Sequence, residues 1–171
     1  MGRNRNGFTL VELLAVIVIL GIIMLIAVPN VVGVIDNNRK ETYLSDAKKM
    51  VTMAEYATRT NTSILMPNNG EVTVLRLSYI NNGDLTKDPE GNNYDTYRSY
   101  IAIKKGTDGF DEYYVNLVGG TTEKNRGINL TKVDDLNGDN RFKMVVKNFT
   151  IRSSNDEIKN ALGVSTVHEY Q

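Results

Sequence analysis

The 21 residues from Phe8 to Val28 form an almost continuous apolar run in which only Thr9 and Glu12 are clearly polar. As a helix this run spans about 31 Å, the thickness of a bilayer's hydrocarbon core. The stretch before it, MGRNRNG, carries Arg3 and Arg5 and no acid. The positive-inside tendency then keeps that end in the cytoplasm and sends the rest of the chain outward. A secretory signal would place small residues at a cleavage site after the apolar stretch, and MLIAVPNVVG offers only a poor version of one. The run is also longer than a usual signal core, so the pattern predicts a retained membrane helix.

Beyond Pro29 the period changes but does not stop. Tyr43, Ala47, Met50, Ala54 and Ala57 recur at spacings of four and three, one face of a helix, with Asp46, Lys48, Lys49 and Glu55 between them. Asp36 precedes Lys40 in the favourable i,i+4 order. The pattern predicts one helix from about Phe8 to Thr60, roughly 80 Å long, whose second half must be covered by other elements. NTSILMPNNG ends it, with Pro67 and Gly70 as breakers. In EVTVLRLSYINNGDL, Val72 and Val74 alternate as in a strand, while Leu75, Tyr79 and Gly83 suit a short helix with a glycine cap.

Two strands near Ser99–Lys105 and Glu112–Val118 flank a Gly/Asp turn and predict a hairpin. GGTTEKNRG reads as a loop, and NRFKMVVKNFTIRS as a third, long strand. SSNDEIKNALG predicts a closing helix, with Ser154 and Glu157 as a capping box and Gly163 as its stop. The expected fold is α+β: a long N-terminal helix, membrane-spanning in its first half, with one antiparallel sheet packed on its second half.

Composition narrows the chemistry. Lys plus Arg and Asp plus Glu balance at 20 each, so no bulk charge points to nucleic acid. The absence of cysteine removes disulfides, thiolate metal sites and a Cys nucleophile. The single histidine, His168, reads as a residue of a mobile tail. No phosphate loop and no nucleophile–base–acid set is present, so no catalytic residue and no enzymatic activity is expected. Asn129 and Asn148 begin N-x-T triplets, and Tyr94, Tyr97, Tyr100, Tyr113 and Tyr114 cluster in the sheet region.

The metal-like string is DDLNGDNRF. Asp135, Asn137 and Asp139 repeat the D-x-N-x-D opening of a calcium loop, but Asn140 stands at the glycine position and Val146 at that of the bidentate acid. Asn137-Gly138 is also a turn signal, and the turn is the stronger reading.

Glu12 needs its own account, because a carboxylate deep in a bilayer costs roughly 3 kcal/mol. Near the cytoplasmic end it reaches toward the headgroups, and in a first helical turn it faces exposed N–H groups. Gly7-Phe8-Thr9-Leu10-Val11-Glu12 followed by LLAVIVILGIIMLIAVPN resembles the class III signal of type IV pilins and type II secretion pseudopilins. That resemblance implies a leader of residues 1–7 cleaved between Gly7 and Phe8 by a prepilin peptidase, then N-methylation of Phe8. It implies that Glu12 neutralises the Phe8 ammonium of a neighbouring subunit in the filament, where paired charges cost far less than lone ones. It also implies that the stretch between Gly21 and Pro29 adjusts its helix on assembly. Residues 8–28 then form the membrane and filament-core helix, 29–60 its amphipathic continuation and 61–171 a globular head.

INNGDLTKDPEGNNYDTY is similar to the pilin and pseudopilin segment in which a DP-x-G-x-x-Y turn, here Asp88, Pro89, Gly91 and Tyr94, leads into the sheet. This favours the short helix before it. Glu90 stands where the pseudopilin pattern has an aromatic residue, a departure from housekeeping secretion pseudopilins. Some pseudopilins carry calcium in a C-terminal loop, which is the setting in which the Asp135 string would matter. The absence of a head disulfide resembles Gram-positive pilins.

The resemblance implies a structural subunit of a type IV pilus-like filament serving adhesion, aggregation or motility. Its partners would be like or related pilins, a prepilin peptidase/methyltransferase, an assembly platform with its ATPase, and the membrane before assembly. No nucleic-acid partner is evident. The head would lie outside the cytoplasm, and the assembled filament outside the cell. The alternatives are a pseudopilin of a secretion or DNA-uptake apparatus, and a non-assembling membrane-anchored binding protein.

Overall fold

The computed structural model describes residues 7–121 and 124–171, and the chain falls into two compact units that meet in sequence at Asn38 and Arg39. Helix α1 runs from Leu10 to Thr60. In the first unit its large apolar side chains, from Leu10 to Ile35, are exposed to their surroundings. A helix of this length and apolarity is able to cross a membrane.

In the second unit the four-three stripe does what its spacing predicts. Tyr43, Ala47, Met50 and Ala54 are buried, with Ala57 packed at the edge of the same core. They lie against Leu75, Ile101, Ile103, Val115, Leu117 and Ile128. These come from strands β1 (Glu71–Arg76), β2 (Tyr100–Lys105), β3 (Asp111–Gly120) and β4 (Asn125–Lys132). Alternate residues of the same strands, Val72, Val74, Tyr100 and Ala102, face a second core with Ile158 and Leu162. That core belongs to helix α3 (Asn155–Leu162). The sheet is thus covered on both faces, which is why residues of both parities are buried along Val72–Arg76 of β1 and Tyr100–Ile103 of β2.

Two short strands complete the sheet, β5 (Val145–Lys147) and β6 (Thr166–Tyr170), in the order β5-β4-β3-β2-β1-β6. The neighbours from β5 to β1 pair antiparallel, whereas β6 lies parallel to β1 with Val72 opposite Val167 and Thr73 opposite His168. The α+β architecture is as expected, but the sheet is mixed at one edge.

Several local expectations change. The segment at 71–85 is a strand first, followed by a single helical turn, α2 (Leu77–Ile80), capped by Asn81 rather than Gly83. Val72, Val74 and Leu75 are all fully buried, and pairing with β2 and β6 on both sides outweighs the helical spacing. The loop read over GGTTEKNRG is shorter, because β3 extends to Gly120 and β4 starts at Asn125. The long third strand shrinks to three residues, since a 3-10 turn occupies Arg141–Lys143 before it and Asn148 takes a positive φ of 51° after it. The tail is β6, where Tyr170 accepts a hydrogen bond from the Leu65 N–H (2.8 Å) and donates to the Ser63 carbonyl (3.1 Å). The closing helix forms as read: Ser154 and Glu157 make the reciprocal capping box, and Gly163 adopts the left-handed conformation at φ 66°.

Candidate functional site

The first unit presents its chemistry at the start of α1. Phe8 and Thr9 precede the helix, and Phe8 is 82% exposed. The Glu12 carboxylate accepts from the Thr9 N–H (2.9 Å) and from the Thr9 hydroxyl (3.0 Å), while the Glu12 N–H donates to Thr9 Oγ1 (3.3 Å). Thr9 and Glu12 therefore form a capping box at the first turn. Thr-x-x-Glu is that signature in the sequence, and a reading focused on the apolar run passes over it.

At Gly21, α1 is continuous and an added Cβ would meet nothing within 4 Å. The helix also runs through position 29, although the side chain of Pro29 lies outside the described residues, as do Arg3, Arg5 and the other residues before Gly7.

In the second unit, the DP-x-G-x-x-Y turn is latched onto α1. Asp88 is buried, and its Oδ1 accepts the N–H groups of Glu90 (2.9 Å) and Asn92 (2.8 Å). Gly91 takes the φ of +90° that the turn demands. Tyr94 donates to Asp46 Oδ2 on α1 (2.6 Å), and Tyr43 donates to Glu90 Oε2 (2.6 Å). The other oxygen of Glu90 accepts from Arg126 Nη1 on β4 at 2.7 Å. Glu90 is thus the acceptor that joins helix and sheet, in the place where the pseudopilin pattern has an aromatic residue.

Burial pushes the Tyr43 and Tyr94 hydroxyls far above the usual phenol range, and their carboxylate partners add to the effect. Both therefore act as fixed donors. Burial also raises Asp46, against the hydrogen bond from Tyr94 and the charge of Lys49.

The remaining candidates are more dispersed. Asp135 and Asn137 lie on the 3-10 turn Val133–Asn137, with Leu136 buried between them, and Asp139 follows Gly138 in a turn. On a 3-10 turn, positions i and i+2 point to different sides, unlike the converging alternate ligands of an extended calcium loop. Among the described residues, no group of three or more His, Cys, Asp or Glu side chains is placed to hold a metal. His168, read as a tail residue, lies on β6 with its Nε2 3.3 Å from Glu71 Oε2.

Residues 2–28 match the family model of the prokaryotic N-terminal methylation motif. The chain carries the class III signal that is the hallmark of type IV pilins and pseudopilins. This match covers Gly7, Phe8, Glu12, Gly21 and Val28, the same run that the structure shows as an exposed apolar helix behind the Thr9–Glu12 box. No curated relative and no solved structure gives a significant match. The motif is of the kind that pilin-like and pseudopilin precursors carry, and it implies prepilin-peptidase processing and a pilus assembly context.

Proposed function

We propose that the chain is a structural subunit of a type IV pilus-like filament. In this reading it is cut between Gly7 and Phe8, methylated on the Phe8 amine and held in the cytoplasmic membrane by the first half of α1, with the head outside the cytoplasm. Assembly transfers the apolar helix from lipid into a bundle of like or related helices, and the head then sets the surface used for adhesion, aggregation or motility. The assembly platform and its ATPase drive the extraction.

The observation that carries the reading is the pairing of the methylation motif with a helix whose apolar side chains are exposed from Leu10 to Ile35 while Glu12 stands in its first turn. Such a surface must be covered by lipid or by other helices. A carboxylate at its start gains a counter-charge able to enter an apolar bundle when a new α-ammonium is made at Phe8. The extent of the exposed stretch supports both states, since the same atoms face lipid before assembly and neighbouring helices after it.

Within this frame Gly21 to Pro29 is the section proposed to adjust its helix, because glycine weakens a helix interior and proline removes one of its hydrogen bonds. A secretion or DNA-uptake pseudopilin shares the motif and forms the second reading. Glu90, engaged with Tyr43 and Arg126, favours the filament subunit over the housekeeping secretion pattern. A calcium ion at Asp135, Asn137 and Asp139 would require the 3-10 turn to open.

The test is N-terminal mass spectrometry of sheared surface fibres. A methylated chain beginning at Phe8 is the expected result. Uncut protein confined to membranes would instead favour a non-assembling anchor.

A further inference from the structure

Asn-Gly pairs stand at three exposed places in the second unit, Asn69–Gly70, Asn82–Gly83 and Asn137–Gly138. Glycine leaves the amide nitrogen after each asparagine unshielded by a Cβ and its backbone free to turn. That nitrogen is able to attack the asparagine side chain, and the three pairs differ in what holds it. The Gly83 N–H donates to Asn81 Oδ1 (3.1 Å), which also accepts the Leu85 N–H (3.1 Å), so attack at Asn82 first has to break a hydrogen bond. Asn137 ends the 3-10 turn Val133–Asn137 and stands between Asp135 and Asp139, whose charges oppose the amide anion that attacks.

At Asn69 the nitrogen is open. Asn69 and Gly70 are the central residues of a turn closed by the Glu71 N–H on the Asn68 carbonyl (3.1 Å), and Gly70 takes a φ of +81°. Among the described residues, neither the Gly70 N–H nor the Asn69 side-chain amide makes a hydrogen bond. Glu71, the nearest acid in sequence, turns its Oε2 to the Asn68 N–H (3.0 Å) and to His168 (3.3 Å). With Lys105, the pair borders an open cleft of about 310 Å³, so water reaches it.

The same turn sets the edge of the sheet. The Gly70 carbonyl accepts both the N–H (2.8 Å) and the hydroxyl (3.0 Å) of Ser165. The next pair along, Glu71 opposite Thr166, opens the parallel ladder of β1 and β6. A change in the main chain at Asn69 therefore reaches β6.

We propose that Asn69 is a site of self-modification, converting without an enzyme to aspartate and isoaspartate and thereby loosening β6. The Gly70 nitrogen gives up its proton and bonds to Asn69 Cγ, while the Cγ–Nδ2 bond breaks and the side-chain amide leaves with that proton as ammonia. Water then opens the cyclic imide. Breaking the bond from the Gly70 nitrogen to Cγ gives aspartate, and breaking its bond to the Asn69 main-chain carbonyl carbon gives isoaspartate. Isoaspartate routes the chain through Cβ and Cγ, adds one methylene to the main chain and carries the Gly70 carbonyl away from Ser165. The inference is independent of the filament reading, since it needs only the folded second unit and water.

The test ages the full detergent-solubilised chain in neutral buffer. Peptide mapping follows the conversion of amide to acid at each pair, an isoaspartyl methyltransferase labels isoaspartate, and hydrogen exchange reads the amides of Thr166–Tyr170. Asn69 is expected to convert several-fold faster than Asn82, the weight of the hydrogen bond at Gly83, and faster than Asn137. The β6 amides are expected to lose protection as Asn69 converts. Asn69→Gln, in which attack would have to close a larger ring, should stay unmodified and keep its β6 protection. Asn69→Asp adds the charge without the extra methylene and should keep that protection too. Equal rates at the three pairs, or faster conversion at Asn82 or Asn137, overturn the site. Unchanged β6 exchange after Asn69 has converted overturns its link to the strand, and equal loss in Asn69→Asp overturns the role of the lengthened main chain.

Discussion

Thr9 and Glu12 close on each other at the start of α1, the carboxylate of Glu12 accepting both the N–H and the hydroxyl of Thr9. The acid that looks misplaced in an apolar run is therefore already bonded within its own chain. Its two possible duties, capping the helix and neutralising a neighbour's Phe8 ammonium, ask for different chemistry, and that difference makes them separable.

Glutamine at the third position preserves a capping box but carries no charge. Glu12→Gln is accordingly expected to leave the chain cut and membrane-held while reducing its incorporation into fibres. An ammonium left without its carboxylate in an apolar bundle costs about 3 kcal/mol or more, on the order of a hundredfold. Thr9→Ala removes the hydroxyl and keeps the charge, at a cost of about 1 kcal/mol to the first turn, so incorporation should largely survive. The ratio of fibre to membrane protein on immunoblots reads both variants. Normal incorporation of Glu12→Gln would assign the acid to capping alone.

Glu90 holds three elements at once, so its loss should reach well beyond its own turn. Glu90→Ala removes the carboxylate that accepts from buried Arg126 and, with it, the acceptor of the buried Tyr43 hydroxyl. A destabilisation of about 3 kcal/mol follows, or a Tm lower by roughly 10 °C for a unit of this size. Thermal unfolding of the detergent-solubilised chain, followed by circular dichroism, measures it. A change under about 1 kcal/mol would show that water replaces the network readily.

Gly119 on β3 marks how closely sheet and turn approach. A Cβ there would sit 2.7 Å from both Asp88 Oδ2 and the Tyr43 hydroxyl. Both groups are fixed by hydrogen bonds, so neither yields cheaply. Gly119→Ala should cost about 2 kcal/mol, whereas the same change at Gly138, with only the Asp135 carbonyl at 3.9 Å, should cost little. Comparing the two denaturation midpoints controls for the general effect of losing a glycine.

How much of this was legible in the sequence depends on the range of the interaction. The buried stripe from Tyr43 to Ala57, the β2–β3 hairpin and the Ser154–Glu157 box all rest on contacts within a few residues or on a period, and all three appear as read. The strands that were missed depend on distant partners. β6 joins β1 across 95 residues, with Glu71 opposite Thr166, and its TVHEY sequence has no alternation strong enough to announce it. β4 contains Gly127, which a strand pattern tends to exclude, yet the backbone there runs so close to Leu117 that no side chain fits. In the candidate site, Glu12 stood out because it broke a pattern, and so did Glu90. The partners of Glu90, Tyr43 and Arg126, lie 47 and 36 residues away, and no local signal connects them.

The β6 edge also gives the head a dependence on acid. Glu71 is held below the usual carboxylate range, first by the Asn68 N–H, with hydrogen bonds from His168 and the Asn68 side chain adding to the effect. A carboxyl depressed in the folded state contributes stability that is fully present above its unfolded value and is lost as pH falls through its folded one. The window therefore opens below the ordinary Glu value of 4.5 and extends to more acidic pH. Glu112 and Glu157 are depressed as well, by Lys132 with Tyr114 and by the Ser154 cap respectively, so the whole unit should weaken in the same window. Glu71→Gln is expected to flatten the slope of Tm against pH between about 5 and 3 and to leave Glu112 and Glu157 titrating. Because Glu71 faces His168 on β6, hydrogen exchange of the β6 amides should rise first as the pH drops in the parent chain. An unchanged slope in Glu71→Gln, together with late exchange at β6, would move the acid sensitivity to the Glu112 and Glu157 sites instead.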